Sequence, residues 1–294
     1  MSLLLAHTIT LLAWHAQPRL NLQACGVRMM ALTEQEERVA SAMEIKPVAT
    51  GSARSEGLAL ALDDGTRKSH SVAENTAFVT GFFRGIATKQ AFSQLVASLY
   101  FVYEAMEVAF DQTQDPSVRA LDYPSLRRKA ALEEDMAYYF GADWRSSVVP
   151  SSATRKYVAR IQELSSSSDD SYLLVAHMYT RYLGDLFGGQ MMGGMARRSL
   201  ELDSGLGTRF YEFDEIQSAD IKPFIEQWYS ELNKLALSDE QKQLIVDEGN
   251  LVFALNIELF DELEGNPVKA MWKLASSALS SALGLGDSVV ERSF

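Results

Sequence analysis

Residues 179–195, YTRYLGDLFGGQMMGGM, constrain this chain more than any other stretch. The composition reads as helix, yet it carries Gly184, Gly188, Gly189, Gly193 and Gly194. An interior helical glycine costs about 0.8–1.0 kcal/mol relative to alanine, so several together need an offsetting gain. Glycines three to five apart strip side chains from one face of a helix and ease a bend. A flat body can then lie against the backbone. The plainer reading is a close crossing with another helix, which small residues permit. Here a single glycine and two pairs come with Asp185 among them and Arg181 one turn earlier, and that favours a flat ligand.

The remaining composition narrows the class. A chain of 294 residues can hold one or two domains with a sizeable core. Its net charge of -12 argues against a nucleic-acid binder, which needs a basic face. No uncharged apolar run approaches the roughly 18 residues of a membrane span. The single cysteine, Cys25, excludes a disulfide framework or a thiolate metal site within one chain. There are four histidines, His7, His15, His70 and His177.

Residues 1–33 contain no Asp or Glu, and the apolar Leu3–Ala16 stretch precedes Arg19 and Arg28. That order resembles a targeting segment, apolar first and then basic. It suits the two-step address of a plastid surrounded by extra membranes. Residues 1–50 are therefore set aside as targeting segment and linker, and Cys25, His7 and His15 go with them. One all-α domain is expected over 58–267, with 268–294 as a tail. Residues 268–284 are weakly amphipathic and too polar to span a membrane.

Within the domain Thr66 is read as an N-cap. Helices are expected over 91–110, 125–140, 153–164, 171–201, 219–237 and 239–264. Asp115 and Pro116 should break the chain after the first of these, and Asp169, Asp170 and Ser171 should cap the long glycine-bearing helix. Ser238 to Gln241 should open the last helix. Residues 142–152 and 203–218 are read as loops.

His70 and Glu74 are i and i+4 and share a helix face. A neutral imidazole can bind a metal while a carboxylate orients its other N–H. A surface His–Glu pair is cheap and common, and spacing alone slightly favours it. His177 stands eight residues before Asp185, about 80° round a regular helix, and reads as a structural histidine. Repeated Glu-x-x-His pairs, HExxH and a P-loop are absent, and the body has no cysteine nucleophile. What remains is one metal-ligand histidine, a glycine-lined helix, a carboxylate and many aromatics. That set suits an iron porphyrin, with an axial histidine on one face and room for a diatomic ligand on the other. An aspartate on the open side can hold water and deliver protons there.

These residues also carry a resemblance. RYLGDLFGGQ is similar to the haem oxygenase signature RYLGDLSGGQ, and TRKSHSVAEN resembles the segment bearing that family's proximal histidine. LVASLYFVYEAME and FALNIELFDELEGN resemble further family segments, the latter in the cyanobacterial and plastid style. The four occur in the family's order across 58–267.

The resemblance implies an all-α, single-domain helical bundle with haem b between a proximal helix and a kinked, glycine-rich distal helix. It makes His70 the axial iron ligand, with Glu74 supporting its other nitrogen. Gly184 and Gly188 would lie over the haem. Asp185 would organise distal water, with Tyr103 as a partner and Arg181 and Thr180 in the same polar region. Tyr179 and Arg67 would meet the haem propionates, and Gly189 would belong to the haem-lining face. Haem would be both substrate and oxygen-activating group, cleaved with O2 and electrons to biliverdin, ferrous iron and carbon monoxide. In a plastid, ferredoxin would supply the electrons and a bilin reductase would take the product.

The sequence departs from the pattern in places. Phe187 replaces the usual serine, and MMGGMARR replaces a lysine-bearing continuation. Asp63, Ile225 and Tyr229 stand where bases for the propionates are usual, with Lys222 as a nearby substitute. Those changes motivate an alternative, a haem carrier or sensor of the same fold without turnover. A thiaminase-like bundle would need a body cysteine, and a plain helical interaction module leaves the glycine cost without an offset.

Overall fold

The computed structural model describes residues 51–263 apart from 84, 86, 87, 201 and 203–205. The chain divides into two units, Met1–Lys46 and Pro47–Phe294, and every described residue belongs to the second. The expected targeting segment and tail lie outside the described residues. Among the described residues there are helices and turns but no strand, and no helix is long and apolar enough to cross a membrane.

The order is α1 (Gly57–Glu74), α2 (Ala77–Phe83), α3 (Lys89–Gln112), α4 (Pro116–Leu121), α5 (Lys129–Phe140) and α6 (Ser152–Ser166). Then follow α7 (Leu174–Met178), a π turn (Tyr179–Leu183), α8 (Gly184–Phe187), α9 (Gly189–Ser199), α10 (Ile221–Asn233) and α11 (Asp239–Glu262). Short 3-10 turns occupy Ala53–Ser55 and Arg209–Tyr211.

The helix α3 buries Phe92, Leu95, Val96, Leu99, Val102, Tyr103, Met106 and Phe110, a three-and-four spacing that gives it one continuous apolar face. Thr88 caps it through Ala91 N at 3.0 Å. The helix α11 opens with the expected capping box between Ser238 and Gln241.

The helices α1 and α11 approach unusually closely, because both put small residues at the crossing. A Cβ on Gly65 would lie 2.4 Å from Val246 Cγ1, and one on Gly249 would lie 3.1 Å from Thr66 Cγ2. This pairing sets the position of His70, whose ring stands edge-on to Phe253 of α11 with centroids 5.4 Å apart.

Several local expectations are corrected. Thr66 is not an N-cap: α1 already starts at Gly57, and Thr66 is buried mid-helix with its hydroxyl donating to Leu62 O at 2.7 Å. Asp115 and Pro116 do not simply break the chain. Asp115 Oδ1 accepts from Ser117 N and Val118 N, with Pro116 in the first turn, and so starts α4. The helix expected from Ser125 begins at Lys129, because Glu107 Oε1 accepts the Arg128 and Lys129 N–H groups and caps it from α3. The long helix expected over 171–201 is broken into α7, the π turn, α8 and α9, and Asp170 gives no side-chain cap there.

Candidate functional site

The distal wall runs from α7 to α9. Gly184, Phe187 and Gly188 are exposed on it, Phe187 at 61 %. A Cβ on Gly184 would meet open space, so this part of the helix presents bare backbone outward. Gly189 and Gly193 have a different reason to be glycine. A Cβ there would lie 3.0 and 2.9 Å from Tyr211, which the 209–211 turn packs against the helix. Gly189 therefore sits against Tyr211 rather than on the open side. The glycine cluster serves two faces, one open and one in close contact.

Behind the open face lies a buried polar network. Asp185 accepts a hydrogen bond from the Tyr103 hydroxyl and pairs with Arg181 Nη2, at 3.2 and 3.3 Å from its two oxygens. Arg181 Nη1 donates to Asn256 Oδ1 at 2.9 Å, and Asn256 Nδ2 donates to Val252 O. Burial raises the Asp185 carboxyl well above the usual carboxylate range. Arg181 is the charge placed to hold it ionised. Thr180 Oγ1 and Arg181 Nε are buried beside this network with no protein partner among the described residues, and the Tyr157 hydroxyl is buried next to Asn256. Groups of that kind are ordinarily completed by ordered water.

The structural reading of His177 agrees with its surroundings. It is fully buried, with Nε2 3.1 Å from Glu248 Oε1, and Arg160 holds the other side of that carboxylate. The count of 80° from Asp185 assumed a regular helix. The π turn between them takes more residues per revolution, and His177 and Arg181 each reach α11, at Glu248 and Asn256.

The proximal wall is α1. The His70 side chain is 45 % exposed, and Nε2 lies 3.6 Å from Glu74 Oε1, too long for a hydrogen bond. Tyr179, at the start of the π turn, lies against Thr66, Asp63 and Arg54, and burial followed by the Asp63 charge pushes its phenol up to about 12. One turn on from Thr66 is His70, and one π turn on from Tyr179 is Gly184. Helix α2, which follows α1, packs on α9, which follows the distal helix. The two walls thus run the same way, joined at both ends, with His70 and the open Gly184 face between the joins.

The expected residues do not all gather here. Tyr103, Thr180, Arg181, Gly184, Asp185 and Gly188 form one cluster, and His70 and Glu74 stand on the facing wall. Arg67 is half-exposed and pairs with Asp63 and Asp64. Lys222 is exposed in the first turn of α10, outside the cluster. Ile225 and Tyr229 are buried in α10. Tyr157, Asn256 and Tyr211 went unnoticed in the sequence. Asn256 had a legible signal, a single amide in an otherwise apolar row of α11.

Among the described residues no three His, Cys, Asp or Glu side chains converge to hold a bare metal ion. A lone histidine facing exposed helix backbone, with buried donors behind it, instead matches a planar metallo-ligand.

The family model described as "Heme oxygenase" matches residues 56–262. This chain belongs to the haem oxygenase family. It is 44% identical over 223 residues to the heme oxygenase of Porphyra purpurea, covering 76% of this chain and 93% of that one. Among solved structures it is similar to heme oxygenase-1 of Synechocystis in complex with heme. That match has 41% identity and a TM-score of 0.68, and it covers 76% of this chain and 100% of that one. Heme oxygenase-2 of Synechocystis, in complex with heme and NO, matches at 39% identity and a TM-score of 0.70, over 74% and 88% of the two chains. The family membership and the all-helical architecture agree with the sequence reading.

Proposed function

We propose that this protein binds haem between α1 and the α7–α9 wall and cleaves it oxidatively to biliverdin, ferrous iron and carbon monoxide. Bound haem supplies both the oxygen-activating iron and the ring that is opened. The chain's own residues do the rest.

His70 would hold the haem iron through one ring nitrogen, with Glu74 placed to accept from the other. Gly184 and Gly188 leave bare backbone on the facing wall, beside the exposed Phe187, where a diatomic ligand would have room. Asp185, kept ionised by Arg181 despite its burial, would hold water beside that face as the source of protons. Tyr103 and Arg181 fix the carboxyl in place, and Thr180 joins them in anchoring water. Tyr179 and Arg67 would be the residues nearest the propionates, with Lys222 outside the cluster and Gly189 packed on Tyr211 behind the wall.

The observation that carries this reading is the buried Asp185, anchored by Tyr103 and Arg181 directly behind the open Gly184 face. Ferredoxin as reductant, plastid location and delivery of biliverdin to a bilin reductase belong to the same proposal, motivated by the acid-poor N-terminal segment. The test mixes the full chain with hemin and a reductant in air and follows the visible spectrum. Loss of the Soret band with growth of a biliverdin band is expected. A stable Soret band would favour the haem carrier or sensor, for which Asp63, Ile225 and Tyr229 are the motive. No haem binding would overturn both.

A further inference from the structure

The proposed haem carries two carboxylates at one edge, and a buried carboxylate needs a cation or several donors. On α1, Asp63 stands seven residues before His70, on nearly the same side and about 10 Å along the axis. An anion there would repel a carboxylate of a porphyrin centred on His70. The structure neutralises it from an unexpected place. Arg54, in the Ala53–Ser55 turn ahead of α1, directs Nε and Nη2 at Asp63 Oδ1, with the Nε contact at 3.1 Å.

That turn is fastened to α10. Glu226 accepts from Ser52 Oγ at 2.5 Å and from Ala53 N at 2.9 Å, and Asn233 Nδ2 donates to Ala53 O at 2.7 Å. Asn233 Oδ1 also accepts from Ala59 N at 2.9 Å, so α10 holds both the turn and the first turn of α1. Arg54 therefore has a built position. Tyr179 and Tyr229, with ring centroids 6.5 Å apart, stand at the same corner. Arg67 is drawn outward by Asp64, and Lys222 is exposed elsewhere. Arg54 uses Nε and Nη2 on Asp63 and makes no bond through Nη1 among the described residues. It also lies two residues ahead of the 56–262 family match.

We propose that Arg54, held by Asp63 and by the Glu226 and Asn233 fastening, is this chain's binding residue for a carboxylate of the porphyrin substrate. The inference rests on the haem-binding reading above. Asp63 then serves as the partner that orients the guanidinium, and Nη1 takes the substrate's carboxylate.

The test titrates the full-length protein with hemin and with hemin dimethyl ester, whose carboxylates are blocked, and reads affinity from the Soret band. Arg54→Ala should weaken hemin about tenfold to a hundredfold, the range of one charge-assisted contact, and leave the ester unchanged. Arg54→Gln should do the same, and serves if the alanine variant does not fold. Equal weakening of both ligands would show that Arg54 acts only through the fold and would overturn the proposal. So would unchanged hemin affinity. Failure of the parent chain to bind either ligand would overturn the haem reading itself, a result distinct from both.

Discussion

His70 on α1 and Asp185 behind the open Gly184 backbone are held in opposite ways. The His70 side chain is 45 % exposed, with its carboxylate partner 3.6 Å away. Asp185 is buried, bonded to Tyr103 and Arg181, and backed through Arg181 by Asn256. The difference follows from what each must do in the proposed reaction. A metal bond is strong and directional, so the substrate itself can finish positioning the imidazole. A carboxylate that must hold proton-delivering water has no such help and must be set in place before the substrate arrives. One wall is therefore loose until loaded, and the other is preorganised at a cost in buried charge.

This contrast predicts different penalties for removing each residue. Asp185→Ala should have the largest effect, because it strikes both function and stability. It leaves Arg181 buried without its carboxylate, and breaking a buried pair in this way costs about 3–5 kcal/mol. The thermal midpoint should fall by several degrees and biliverdin formation should drop sharply. A parent-like midpoint and rate together would show that the network is not coupled to Asp185. His70→Ala should abolish turnover with almost no change in midpoint, since exposed substitutions usually stay within about 0.5 kcal/mol. Hemin titration and a melting curve on one preparation separate the two residues. A large loss of stability in His70→Ala would erase the contrast.

A smaller effect tests the preorganised wall from behind. Burial alone would raise the Glu248 carboxyl, but the hydrogen bonds from His177 and Arg160 bring it down to about 2. A depressed carboxylate stabilises the fold above its unfolded pKa of about 4.3. That contribution is lost as pH falls from there toward 2. Glu248→Gln should therefore be less stable than the parent at neutral pH, and the gap should close on acidification. Melting curves from neutral pH to about pH 3 measure this, and a pH-independent gap would remove Glu248 from the ionic network.

Legibility in the sequence divides along the same line. The all-helical class followed from periodicity and from the lack of alternating strands. His70, Glu74, Gly184, Asp185 and Arg181 were visible because their residue types are costly or unusual where they stand. What stayed hidden depends on contacts distant in the chain. Tyr157 is one polar tip on an otherwise buried side chain and leaves no periodic trace. Tyr211 reaches the glycine helix from a segment read only as loop. The break before Lys129 depends on Glu107, some twenty residues earlier, accepting two backbone N–H groups. Thr66 was misread because its type suits a cap, whereas in α1 its hydroxyl bonds back to Leu62 O within the helix. The π turn left no signal in side-chain pattern, and it changes the relation of His177 to Asp185.

The smallest expected effects are the most discriminating, because they divide the glycines that first singled out the distal helix. Propensity alone says that alanine at any of them should stabilise the helix by about 1 kcal/mol. At Gly184 a Cβ meets only open space, so Gly184→Ala should gain stability, and the methyl should then stand in the proposed haem gap and weaken hemin binding. At Gly193 a Cβ would lie 2.9 Å from Tyr211 Cβ, with its ring carbons at 3.0 and 3.1 Å. Tyr211 is buried and cannot swing clear, so Gly193→Ala should lose stability, and its effect on hemin should follow from the fold alone. Opposite signs in the two melting curves would mean that the helix is bare on one side for a ligand and on the other for packing. If both variants are destabilised and both bind hemin as the parent does, the open face is closed by protein and the planar-ligand site is lost with it.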